Sequence, residues 1–175
     1  MKKGQLVSLL VAMSSLLAFG ACSNLEVNTA QAPDVSFAQY KTYAWANSPA
    51  PGPQGEPLDL YEGSILDQTI KSTTEEKLME KGLSPAKNAP PDLLISYAAK
   101  TRMGVQYGVA TTPWGWDDRA AYPVREGSIT LEITDAHTGT PIWQGTASDI
   151  INRAGPSQKD VASAVTKMLD KYPAA

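Results

Sequence analysis

The stretch with the most chemical potential in this chain reads Pro113-Trp114-Gly115-Trp116-Asp117-Asp118-Arg119. Trp114 and Trp116 stand two apart between proline and glycine punctuation, a spacing that allows both rings onto one face of a loop. Exposed, such a pair can stack on a sugar ring or an aromatic peptide side chain, with Asp117, Asp118 and Arg119 as polar partners. The plainer alternative is a loop that tucks one or both indoles over a sheet edge. Neighbouring carboxylates such as Asp117 and Asp118 usually point apart, so they make a poor general acid–base pair without a third group.

The other reactive residue types are scattered. His137 is the only histidine, and a lone histidine makes no metal site without convergent ligands. Asp135, His137 and Thr138 read better as makers of turn hydrogen bonds, with Gly139 supplying a positive φ. Glu76 and Glu80 are one helical turn apart on a solvated face, with no histidine or third carboxylate at helix spacing. H-E-x-x-H, G-x-S-x-G and phosphate-binding glycine loops do not occur in the sequence. The reading is therefore of a protein with no catalytic residue, no metal and no cofactor, and not of an enzyme.

Cys22 is the one exception with a defined chemistry. Lys2 and Lys3 form a positive n-region, Leu6–Phe19 an apolar run too short to span a membrane comfortably, and Gly20-Ala21 a small-residue pair before Cys22. This order resembles a bacterial lipoprotein signal, in which cleavage before Cys22 frees an amine for acylation and the thiol carries a diacylglycerol. As the sole cysteine it can form no intramolecular disulfide. Several acyl chains on one residue would hold a protein stably on a bilayer, at about 0.8 kcal/mol per buried methylene. Ser23 after the cysteine, by resemblance to Gram-negative lipoproteins, implies sorting to the outer membrane, facing the periplasm.

Residues 1–21 are thus read as a signal peptide and 22–175 as a single periplasmic domain of 154 residues, long enough for a real core. Removing Lys2 and Lys3 takes the formal charge from −3 to −5. A mildly acidic chain without a basic stripe does not suit nucleic acid.

The elements that must carry these residues are organised around Gly127–Ile151. Ile129, Leu131 and Ile133 alternate with Ser128, Thr130, Glu132 and Thr134, the period of a strand with one buried face. Polar Asp135–Thr140 and then Ile142-Trp143 complete a β-hairpin with a loop of four to six residues. Before it come a strand at Leu25–Thr29, an aromatic strand with Tyr43 and Trp45 on one face, and a helix from Asp59 to about Lys81 ended by Gly82. Phe37 and Tyr40 precede the aromatic strand in a short turn that can fold back over the core. This cluster reads as core packing, with a ligand platform as the alternative. Ile65, Leu66, Ile70 and Leu78 are the helix's apolar positions, and Asp67 one of its polar ones.

A strand follows from Leu93 through Tyr97, extending towards Val109. Residues 111–125 read as the least regular region, where a long strand is improbable. Ser157 is a reasonable N-cap for a last helix bearing Val161, Ala164, Val165, Met168, Leu169 and Tyr172. The fold class expected is α/β of the α+β type. It has one largely antiparallel sheet of about six strands, with two amphipathic helices packed on one face.

These residues together carry a family resemblance. Phe37 and Tyr40-Lys41-Thr42-Tyr43-Ala44-Trp45, Pro91-Asp92-Leu93-Leu94, Gly127–Asp135, Thr138-Gly139, Ile142-Trp143-Gln144-Gly145 and Tyr172-Pro173 make the chain similar to the small bacterial envelope lipoproteins grouped as domain of unknown function 4136. The resemblance covers nearly all of the mature chain. It implies an α/β lipoprotein domain and no known activity, and it supplies no catalytic residue. The Trp114/Trp116 loop falls where such proteins vary.

The function expected is binding or scaffolding in the cell envelope by an anchored, non-enzymatic module. Its recognition surface would be Trp114, Trp116, Asp117 and Arg119. The expected partners are the bilayer through acylated Cys22 and an envelope protein or cell-wall glycan, with oligomeric state left open. A small-molecule or glycan site would need a pocket bringing those tryptophans near Tyr107 or Tyr122. A hydrolase working through Asp117 and Asp118 is the remote alternative.

Overall fold

In the computed structural model of the chain, residues 25–47, 50, 55–57, 63–111, 117–152 and 154–173 are described, with backbone alone at 56, 57, 109–111 and 117–120. The elements in order are β1 (Glu26–Gln31), a 3-10 turn (Phe37–Gln39), β2 (Thr42–Trp45), β3 (Glu56–Pro57), α1 (Ile65–Glu80), β4 (Ser84–Pro85), β5 (Leu93–Thr111), β6 (Asp117–Asp135), β7 (Pro141–Ile151) and α2 (Gln158–Leu169). Six strands run β1-β7-β6-β5-β2-β4 across one sheet, and the two-residue β3 pairs farther along β5. β1, β7, β6 and β5 are antiparallel neighbours, whereas β2 lies parallel to both β5 and β4. The α+β arrangement expected from the sequence is the one observed.

Register explains the core. Tyr43, Leu93, Asp135 and then Trp45, Ile95, Ile133, Trp143 stand in successive cross-strand rows, followed by Tyr97, Leu131, Gly145 and by Ala99, Ile129, Ala147. Partners in a row share a face, and this is the face that both helices cover. Val161, Val165, Met168 and Leu169 of α2 and Ile70 and Leu78 of α1 are buried in the same cluster. Each such side chain contributes roughly 1.5–3 kcal/mol by leaving water. Phe37 and Tyr40 fold back into this core, and edge-on ring contacts join Tyr172 to Phe37 at 5.3 Å and to Trp143 at 5.5 Å. The aromatic segment is core.

The opposite sheet face is polar, with Ser128, Thr130, Glu132, Thr146 and Ser148 in neighbouring rows. Thr130 and Thr146 share a hydrogen bond of 3.0 Å across it.

Both helices start and stop on local signals. Ser64 accepts from the Asp67 N–H at 3.2 Å. Ser157 and Asp160 form a reciprocal capping box. Gly82, at φ 86°, lets the Leu83 N–H reach back to the Leu78 carbonyl at 3.0 Å and close α1.

Two expectations for α1 are corrected. Ile65, read as an apolar core position, is exposed, because it opens the helix at its outer end. Asp67, read as polar surface, is buried and held by hydrogen bonds. The larger correction concerns residues 111–125. From Asp117 onward they are not irregular: they begin β6, which pairs with β5 without interruption from Asp117↔Thr111 to Asp135↔Leu93.

Candidate functional site

The long β5–β6 pair outruns the rest of the sheet. β7 ends at Ile151, opposite Arg125, and β3 meets β5 no farther along than Thr101. Beyond that row Gly104–Thr111 and Val124–Asp117 continue as a two-stranded arm of eight residue pairs, about 26 Å at strand rise.

The arm has two unlike faces. On one, glycines let neighbouring side chains fold flat. The Glu126 carboxylate lies over Gly104, 2.6 Å from where a Cβ would stand, and is paired with Arg102 at 2.6 Å. The Tyr122 ring lies in the same way over Gly108. The other face continues the core row of Ile95, Tyr97 and Ala99 past the end of the helices. Met103, Val105 and Tyr107 follow there at alternate positions, and all three are exposed, Met103 at 69% and Tyr107 at 74%. Ala121, Pro123 and Arg125 face the same way across the ribbon by register.

A small cavity of about 110 Å³ opens at the base of the arm, on the helix side of the sheet. Leu66 and Ile70 of α1, Val161 and Ala164 of α2, and Ala99, Ile129 and Ile151 of the sheet line it, with Leu25, immediately before β1, at its edge. Lys100, Ser128, Asp149 and Asn152 supply polar groups to the lining. Such a space suits a compact apolar group.

Elsewhere three aspartates, Asp67, Asp92 and Asp135, are committed to the fold. Asp67 accepts from the Tyr97 hydroxyl, from the Gly63 N–H at 2.8 Å and from Lys71 at 3.1 Å. Burial alone would raise its pKa, but these donors outweigh it and hold the carboxyl below the usual range. Asp92 accepts from the Lys41 and Thr42 amides, at 2.8 and 2.9 Å, and is lowered by the Lys41 bond first. Asp135 accepts from the Thr138 amide, the Tyr40 hydroxyl and the His137 amide, and is lowered mainly by the first. Carboxyls held this firmly ionised are structural acceptors and poor proton donors near neutrality. The imidazole of His137 is itself exposed, 3.8 Å from Asp135, so the turn reading of Asp135, His137 and Thr138 fits, with Gly139 at φ 69°. No group of three potential metal ligands occurs among the described residues.

Of the recognition residues expected from sequence, Trp114 and Trp116 lie outside the described residues, as does Cys22. Asp117 and Arg119 are described by backbone alone, opening β6 opposite Thr111 and Val109. Tyr107 and Tyr122, either of which could stand beside a glycan pocket with the tryptophans, are in adjacent rows and so on opposite faces of the arm. The extension of the strand through Val105, Tyr107 and Val109 expected from sequence is observed, but the row that Met103, Val105 and Tyr107 form was not read as an exposed surface. Its signal is present: alternation continues from Leu93 through Tyr107 for longer than the core has helices to cover.

One sheet, a helix pair on one face and a projecting ribbon define an α+β domain. The chain belongs to the family described as Domain of unknown function (DUF4136), whose model matches residues 27–174. Among solved structures, a DUF4136 family protein from Bacteroides thetaiotaomicron is similar at 16% identity and a TM-score of 0.52, over 86% of this chain and 97% of that one. A PDZ domain protein from Parabacteroides distasonis is similar at 18% identity and a TM-score of 0.57. The match takes in 87% of this chain but only 37% of that protein. A dodecamer-forming PelC from Paraburkholderia phytofirmans matches at 14% identity and a TM-score of 0.48, over 83% and 94%. No curated protein matches.

Proposed function

We propose that the chain is an outer-membrane lipoprotein, anchored through acylated Cys22 on the periplasmic side, that binds or scaffolds without catalysis. The observation that carries this reading is the arm. The sheet holds out a ribbon on one face of which Met103, Val105 and Tyr107 stand exposed in a row, and an exposed apolar and aromatic row is the composition of a contact surface. The engaged state of Asp67, Asp92 and Asp135 further supports a binding role over acid–base chemistry. Trp114, Trp116, Asp117 and Arg119 lie in sequence in and beside the segment between β5 and β6 and remain the residues we propose for recognising a protein or glycan partner.

Reversible crosslinking in intact envelopes, followed by recovery of the acylated protein, tests this. A discrete partner recovered with wild type and lost with Trp114→Ala/Trp116→Ala supports recognition through these tryptophans. Identical recovery from both removes the tryptophans from the binding surface. A second reading, capture of a small apolar group, has its own observation in the cavity at the arm's base. Ala164→Trp, which would fill that cavity, is expected to abolish such binding and leave partner recovery unchanged.

A further inference from the structure

The exposed row on the arm and the point where the chain's N-terminal segment enters the fold lie at the same end and on the same side of the sheet. Leu25 borders the cavity at the arm's base, together with Ile151 and Ala99. Cys22 is three residues upstream of Leu25 in the sequence, and three residues of chain span at most about 11 Å. We infer that the helix-side face of the arm, formed by Met103, Val105 and Tyr107 with Pro123 and Arg125, rests on the phospholipid surface that holds Cys22. This deepens the proposed function and depends on its reading of Cys22 as an acylated anchor.

Three features favour a bilayer as the occupant. The row is apolar with a tyrosine towards its outer end, and tyrosine suits the boundary between acyl chains and headgroups. Among the side chains described at 103–107 and 121–125 on this face, Arg125 is the only charged one, and a cation complements anionic lipid. The tether then fixes the geometry. An arm of about 26 Å standing upright on so short a leash would have to enter the hydrocarbon, where open strand edges cannot satisfy their amides and carbonyls. Lying along the surface keeps both edges among water and headgroups while Met103, Val105 and Tyr107 reach the acyl boundary. The opposite face, with Arg102, Glu126, Gln106 and Tyr122, is left facing the periplasm.

The test uses the full acylated chain on vesicles of phosphatidylethanolamine and phosphatidylglycerol. Acylation occupies the sulfur of Cys22, so Val105→Cys or Gln106→Cys offers a single thiol for an environment-sensitive fluorophore. The label at 105 should emit to the blue of the label at 106 and be several-fold less accessible to iodide. Adding Met103→Asp and Tyr107→Asp should erase that difference while intact mass still shows acylated Cys22. Equal accessibility at 105 and 106 on vesicles, with Cys22 acylated, overturns the inference and leaves the anchor standing. An unmodified Cys22 overturns both. Shielding at 105 that persists in the unacylated Cys22→Ala protein without vesicles indicates a second copy and also overturns it.

Discussion

The ring of Tyr122 covers Gly108, with Cε2 3.2 Å from where a Cβ on residue 108 would stand. Tyr122 pairs directly with Gln106, so the ring reaches diagonally to the glycine and closes that face of the arm. A two-stranded ribbon without such cover is marginal in water. Tyr122→Ala is expected to lower amide protection at 104–108 and 120–124 by about 0.5–1 kcal/mol, the scale of a cross-strand pair. The melting temperature should stay unchanged, since the arm lies outside the core. Hydrogen exchange read by mass spectrometry checks this.

Gly145 is required by its neighbour Trp143. A Cβ at 145 would stand 2.5 Å from the Cη2 of that indole, which is buried and cannot swing aside. Gly145→Ala is expected to cost about 1–3 kcal/mol through overpacking, seen as a lower urea midpoint at unchanged slope.

Two hydroxyls, those of Tyr43 and Thr74, are buried without a hydrogen-bond partner among the described residues. A donor desolvated without compensation lowers stability. Tyr43→Phe and Thr74→Val are each expected to be neutral or stabilising by up to about 1 kcal/mol. A fall of similar size in either variant would mean that the hydroxyl has a partner after all.

Stability should also depend on acid. Asp67, Asp92, Asp135 and Asp160 all have folded-state pKa values below the ordinary one. Their contribution is therefore complete above the unfolded value, about 3.9, and is lost as pH falls through the lower folded values. Urea midpoints measured downward from neutrality should hold until about pH 4 and then drop. Asp67→Asn should be less stable at neutral pH and show a shallower drop.

The hairpin around Asp135–Thr140 and helix α2 were legible because one buried face imposes a clear period. Ile129-Leu131-Ile133 reads as a strand, and Val161-Ala164-Val165-Met168 as a helix stripe, before any coordinate is known. The outer half of β6 was not legible. In this strand, unlike β5, polar and apolar residues do not alternate over 117–125, and Pro123 interrupts the run. That proline is tolerated because β7 has already ended at Ile151, leaving its side of β6 unpaired. The parallel pairing of β2 with β5 is a contact between distant segments that no local pattern encodes. Asp67 was misread for a related reason: its burial depends on the Tyr97 hydroxyl, supplied by a strand thirty residues away.

The anchoring of the chain is most directly tested by the mass of the mature protein's N-terminal peptide, isolated from membranes of cells making the full sequence. The account predicts a peptide that begins at Cys22 and carries acyl chains, lost in Cys22→Ala together with membrane association. An unmodified peptide, or one beginning elsewhere, would contradict it.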